Sequence, residues 1–136
     1  FDNVLDVQTM DKYHKVRAVG TGTGGECFLV HNNNDGKLYV MKCFKQQHMC
    51  LDEQAAAINE ANVISSLNHP NIVKYMESFL SKKTQNLTIV MEYVDGGDLG
   101  SRLEKQPDMM LSENQILDWL LQICTAVHYI HSKNIL

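Results

Sequence analysis

The run Gly20-Thr21-Gly22-Thr23-Gly24-Gly25 constrains this chain more than any other feature, because a strand and not a helix comes directly after it. Glycines at G-x-G-x-x-G spacing let a backbone lie close to phosphate oxygens in two unrelated architectures, and in the dinucleotide-binding one the third glycine opens a helix. Here Gly25 leads into Glu26-Cys27-Phe28-Leu29-Val30, a strand-forming run. The glycines therefore read as a flap between two antiparallel strands, Tyr13 to Val19 and Cys27 to His31. Gly20, Gly22 and Gly25 leave the backbone free to point N–H groups at anionic oxygens. Taken alone, the run fits a flexible turn that uses glycine for geometry equally well.

The rest of the chain extends this β-rich start. Asn34-Asp35-Gly36 supplies positive-φ residues for a tight turn into a third strand, Leu38 to Phe44. A helix is predicted from about Leu51 to Leu67, ended by Asn68-His69-Pro70-Asn71, because proline blocks continuation and disfavours helix in its predecessor. Ile72 to Leu80 and Leu87 to Tyr93 then form a second hairpin across the polar Ser81 to Asn86 loop. In its second strand Leu87, Ile89, Met91 and Tyr93 alternate with Thr88, Val90 and Glu92, the period of a half-buried strand. Gly96-Gly97 marks a hinge before a short helix near Asp98 to Lys105. The last helix carries a capping box, Ser112 with Gln115, and a hydrophobic staple, Leu111 with Ile116. Its apolar stripe runs through Ile116, Leu120, Ile123, Cys124, Val127 and Ile130. The pattern is that of an α+β fold, with an antiparallel sheet and one major helix followed by two further helices.

Composition narrows the function classes. A net charge of −4 with scattered Lys and Arg offers no basic stripe for a phosphate backbone, so nucleic acid is not an expected partner. The longest apolar stretch, Ile116 to Ile130, is interrupted by Asp118, Gln122 and His128, so no membrane span is expected. Four cysteines lack the C-x-x-C spacing of zinc or redox sites, and the six histidines are dispersed. No metal is assigned to them, and the thiols suit a reducing cytoplasmic or nuclear setting.

Two charged residues stand out. Lys42 shares a strand face with Leu38, Val40 and Phe44, since side chains two apart point the same way. Burying an unpaired ammonium costs several kcal/mol by rough estimate, so an anion must compensate it. Glu60 is the candidate partner, because Ala57, Ala61 and Ile64 stand at helical spacings around it and put its carboxylate on the packed side. For an arbitrary Lys and Glu the plainer reading is two solvated surface charges.

Taken in order, the glycine run, Lys42, Glu60 and Met91-Glu92-Tyr93-Val94 resemble the N-terminal lobe of a eukaryotic protein kinase. The closer resemblance is to the NIMA-related (NEK) serine/threonine kinases. It rests on Asn59-Glu60, on Leu67-Asn68-His69-Pro70-Asn71-Ile72-Val73, on Ile89 to Leu99, and on His128-Tyr129-Ile130-His131-Ser132-Lys133-Asn134-Ile135-Leu136. The resemblance implies an N-terminal extension over 1–12, a kinase N-lobe over 13–94 with a five-stranded antiparallel sheet, and the hinge end with the first helices of an incomplete C-lobe over 95–136. It implies ATP as cofactor, with Lys42 on the α/β-phosphates and paired to Glu60. Met91 matches the gatekeeper, Glu92 and Val94 would read the adenine edge through their backbone, and Val19, Cys27 and Val40 would roof it. Asp98 stands where a polar residue often meets the ribose.

Three positions depart from the family pattern: Gly24 for the aromatic at the flap tip, Cys27 for a valine, and Val40 for the alanine of V-A-I-K. The first should loosen phosphate cover and the others change pocket volume. Cys27 is read as a structural thiol, with alkylation by an ATP-site electrophile as the alternative.

The same resemblance places the catalytic H-R-D Asp, the Mg2+ ligands and the activation loop beyond Leu136, so residues 1–136 by themselves are expected not to transfer phosphate. Protein substrates are implied, and cytoskeletal association is in keeping with the family. The stripe of the last helix would otherwise pack on a C-lobe, so rapid amide exchange over 112–132 and self-association through this face are expected. A non-enzymatic reading stays open, in which the fold binds nucleotide or partner proteins without chemistry; retention of Lys42 and Glu60 weighs against it.

Overall fold

The computed structural model describes residues 12–22, 25–45, 49–81, 86–105 and 111–136. The expected N-terminal extension, apart from Lys12, and the flap tip at Gly24 lie outside them. Five strands form one antiparallel sheet: β1 (Tyr13–Gly22), β2 (Gly25–Asn32), β3 (Leu38–Phe44), β4 (Tyr75–Leu80) and β5 (Leu87–Glu92), in the order β1-β2-β3-β5-β4. The helices are α1 (Leu51–Ser66), α2 (Leu99–Lys105) and α3 (Glu113–Ser132). A five-stranded antiparallel sheet with one major helix, followed by two further helices, is thus the α+β class the sequence predicts.

β1 and β2 run further into the glycines than the sequence suggested, with Gly22 paired to Gly25. Among Asn34, Asp35 and Gly36 only Gly36 takes a positive φ, 71°. Side chains do the rest of the turn: Asn34 N–H donates to Asn32 Oδ1 at 2.8 Å, and Lys37 N–H to Asp35 Oδ1 at 2.9 Å.

The chain divides into two compact units, the first comprising residues up to Leu67 with Lys74–Tyr93, the second Asn68–Val73 with Val94–Leu136. In the first unit the sheet has a core on each face. Tyr13, Val30, Tyr39, Met41, Cys43, Phe79 and Val90 fill one face, with Phe28 against them. Phe44, Leu87 and Ile89 meet Ala57 and Ala61 of α1 on the other. β5 is consequently buried on both faces from Leu87 to Val90, rather than on one, because it lies between β3 and β4 under α1. Helix α1 starts on Cys50, whose N–H donates to Glu53 Oε2 at 2.8 Å, and ends as Leu67 turns extended.

In the second unit α3 begins at the predicted Ser112 cap, whose Oγ accepts from Gln115 N–H at 3.3 Å, the Ser112 half of the expected capping box. It ends in a Schellman motif built on Asn134, at φ 58°: Asn134 N–H reaches His131 O at 3.0 Å and Ile135 N–H reaches Ile130 O at 3.3 Å. The 68–73 segment lies on this helix. His69 stacks on Tyr129 with ring centroids 5.2 Å apart, Asn68 N–H donates to Tyr129 Oη at 3.0 Å, and Asn71 Nδ2 donates to Gln122 Oε1 at 3.1 Å. Arg102 of α2 sits over the Trp119 ring at 5.5 Å. Ile116, Leu120, Ile123 and Val127, most of the predicted stripe, are exposed. Among the described residues no helix is long and apolar enough to cross a membrane.

Candidate functional site

The strand registers gather four of the predicted residues on one sheet face. Cys27 lies opposite Lys42 across β2 and β3, and Val40 lies opposite Met91 across β3 and β5. Directly paired residues point to the same side, so all four share the face that carries Phe44 and Ile89 under α1. Cys27, Val40 and Met91 are half-buried, Met91 packing against the core under α1. Val19, next to the irregularity between Ala18 and Gly20 in β1, is exposed.

Lys42 and Glu60 meet. The Lys42 ammonium donates to Glu60 Oε1 at 2.7 Å and stands 4.8 Å from the centroid of the Phe44 ring. The two sides are unequally covered: the Lys42 side chain is 16% exposed and that of Glu60 43%. Ala57 and Ala61 pack as the helical spacing predicts, yet the carboxylate leans from the helix edge into solvent instead of the packed side. A half-exposed pair of this kind contributes about 0.2–1 kcal/mol to stability, too little to explain the pairing as a folding device. Lysine carries three donors, and the single carboxylate engages one of them.

Gly25 has a packing reason to be glycine. A Cβ there would lie 3.0 Å from Cys43 O and 3.4 Å from Lys42 Cγ, so a side chain would press on the strand that holds the lysine. Around Gly20 the space is open, with nothing within 4 Å of where a Cβ would stand. Gly22 pairs with Gly25 at the root of the flap.

At the end of β5, Glu92 is held twice to the chain entering β4. Its N–H donates to Lys74 O at 2.9 Å, and its Oε1 accepts from Lys74 N–H at 2.7 Å. The motif points only to the backbone of Glu92; this second bond of its side chain has no sequence signal. Val94, exposed, and Asp98 belong to the second unit. There the Asp98 carboxylate caps α2, accepting from Ser101 N–H and from Ser101 Oγ–H, both at 2.7 Å. Those bonds, the backbone one first, hold its carboxyl below the usual carboxylate range. An Asp three positions before a Ser at a helix start is itself a capping signal, which the resemblance to a ribose-binding position obscures.

All four cysteines are free thiols, Cys43 being buried and its thiol pushed up by desolvation. Among the described residues no group of three or more His, Cys, Asp or Glu side chains is placed to hold a metal.

The arrangement of a glycine flap, a strand lysine and a helix glutamate coincides with a match over residues 13–136 to the family model described as the protein kinase domain. The chain belongs to the protein kinase domain family. This kinase domain is similar to the serine/threonine-protein kinases Nek1 of Mus musculus (39% identity over 127 residues), Nek5 of Homo sapiens (39% over 127) and Nek4 of Mus musculus (42% over 124). These alignments cover 93%, 93% and 91% of the chain but only 10%, 18% and 16% of the relatives. The chain therefore spans less than a fifth of their length, and its NEK-related character is that of a kinase segment.

Proposed function

We propose that this chain forms the nucleotide-gripping part of a serine/threonine protein kinase that transfers the γ-phosphoryl group of ATP to hydroxyls of protein substrates. The observation that carries the reading is the 2.7 Å Lys42–Glu60 contact, on the sheet face that also bears Cys27, Val40 and Met91. An ammonium that shielded, with donors to spare, suits an anionic ligand such as a triphosphate. ATP with Mg2+ supplies the transferable group and the neutralising charge.

The chain's own residues would bind and orient. Lys42 would hold the α/β-phosphate oxygens, and Glu60 would fix the direction of its side chain. Backbone N–H groups at Gly20, Gly22 and Gly25 would cover the phosphates. Val19, Cys27 and Val40 would exclude water above the purine, and Met91 would limit depth behind it. The roles of Glu92 and Val94 toward the adenine edge, and of Asp98 toward the ribose, rest on the family likeness.

The test is transfer of labelled γ-phosphate to a protein substrate by the full-length protein with Mg2+. Lys42→Ala is expected to lower transfer by about 10²-fold or more, the scale of losing one preorganised charge-stabilising donor. Wild-type protein that binds ATP without transferring phosphate would instead favour the non-enzymatic reading, in which the fold binds nucleotide or partner proteins without chemistry.

A further inference from the structure

β1 and β4 are the two edges of the sheet, separated by β2, β3 and β5, yet their side chains meet. Glu77 of β4 accepts from the Tyr13 hydroxyl at the start of β1, and the Lys12 ammonium reaches the same Oε1 at 2.6 Å. The sheet is thus curled far enough for its edges to be joined by side chains around the core of Tyr13, Val30, Tyr39, Met41, Cys43, Phe79 and Val90.

The curl has local causes. β1 breaks register with β2 twice, between Lys15 and Arg17 and between Ala18 and Gly20, and such bulges add bend and twist. β4 carries one between Tyr75 and Glu77. Simple alternation would put Tyr75, Glu77 and Phe79 on one face. With the extra residue, Tyr75 packs toward α1 while Phe79 joins the opposite core, and Glu77 turns with it toward β1. The contact is also supported from the side. Tyr13 meets Tyr39 edge-to-face at 6.2 Å, Tyr39 Oη donates to Asp35 Oδ2 at 2.7 Å, and Asn33 N–H donates to Lys12 O at 2.8 Å. Burial, then the bond to Glu77, push the Tyr13 phenol well above its ordinary value, so it remains a donor.

We propose that Glu77 is a positioning residue, a clasp that fixes the root of β1 to the far edge of the sheet and thereby holds the strand that carries the glycine flap. β1, an edge strand with two register breaks, has a strand-pairing restraint on one side alone. The Glu77 side chain, 19% exposed, gives it one that no backbone pairing supplies. Only the consequence for nucleotide rests on the kinase reading; the restraint on β1 does not.

Amide hydrogen exchange of the full-length protein, wild type against Tyr13→Phe and Glu77→Ala, tests the clasp. Hydrogen bonds to a charged group are strong enough that exchange in β1 is expected to quicken about tenfold or more in Glu77→Ala, with β5 unchanged. Tyr13→Phe, which removes one oxygen and keeps the ring in the core, should move β1 in the same direction by less. In kinetics Glu77→Ala should raise KM for ATP about tenfold with a smaller change in kcat, reflecting a mispositioned flap. Quickening spread evenly over β1 and β5, or none in β1, would overturn the clasp. Local quickening with an unchanged KM in an active enzyme would overturn its role in positioning the flap. Local quickening in a protein that transfers no phosphate would leave the clasp standing and count against the kinase reading alone.

Discussion

Lys42 shows how a single residue was legible from its neighbours. Strand alternation placed it on the face of Val40 and Phe44, burial of an ammonium demanded an anion, and the helix offered Glu60; the 2.7 Å contact follows that logic. What alternation did not foresee is that β3 is buried on its other face as well, through Tyr39, Met41 and Cys43, while Phe44 fills the core on the Lys42 side. That depends on the curl of the sheet, which no local spacing encodes. Because the pair is worth so little to the fold, Glu60→Gln should change the urea midpoint by less than about 1 kcal/mol equivalent while lowering phosphate transfer much more. A loss of stability that matched the loss of activity would show the pair to be structural. Gly25 gives a second residue-scale prediction. In Gly25→Ala the new methyl would crowd Cys43 O at 3.0 Å. Overpacking costs about 1–3 kcal/mol and the stiffer unfolded chain returns about 0.4–1, so a net destabilisation of about 1 kcal/mol is expected in urea unfolding. An unchanged or raised midpoint would show that β3 yields freely.

At the scale of elements, periodicity, turn residues and capping located the helices and strands among the described residues, and some ends shifted, β4 beginning at Tyr75 instead of Ile72. α3 begins at the predicted Ser112 cap, so Ser112→Ala should cost about 1 kcal/mol and loosen amide protection in the first turn. Its other end was not foreseen, because Asn134 closes the Schellman motif in a conformation more usual for glycine. The start of α2 has a pH signature. The Asp98 carboxyl is held below its ordinary value by Ser101, so the cap is fully present above the usual carboxylate range and is lost only as pH falls through the lowered value. Followed by NMR, the Ser101 amide shift should therefore titrate at a lower pH than exposed carboxylates. Titration at or above that range would show that the cap does not form in solution. The bulge between Tyr75 and Glu77 has no sequence signature at all, so nothing in the strand's alternation singles out Glu77.

For the whole molecule, the order of motifs was enough to place the chain among kinases, since glycine flap, lysine, glutamate and Met91-Glu92-Tyr93-Val94 each constrain the next. The grouping into two units was less legible. Asn68–Val73 comes directly after α1 in sequence, but it lies with α3, where His69 stacks on Tyr129 and Asn71 bonds Gln122. Those partners are more than fifty positions away, and only the fold reveals them. The central claim is that Lys42, oriented by Glu60, grips a nucleotide phosphate. It is tested most directly by calorimetric titration of Mg-ATP into the full-length protein and its Lys42→Ala variant. Wild-type binding with at least about a tenfold loss in the variant is predicted, the loss expected for a charge-assisted contact. Equal affinities, with the variant still folded, would contradict it.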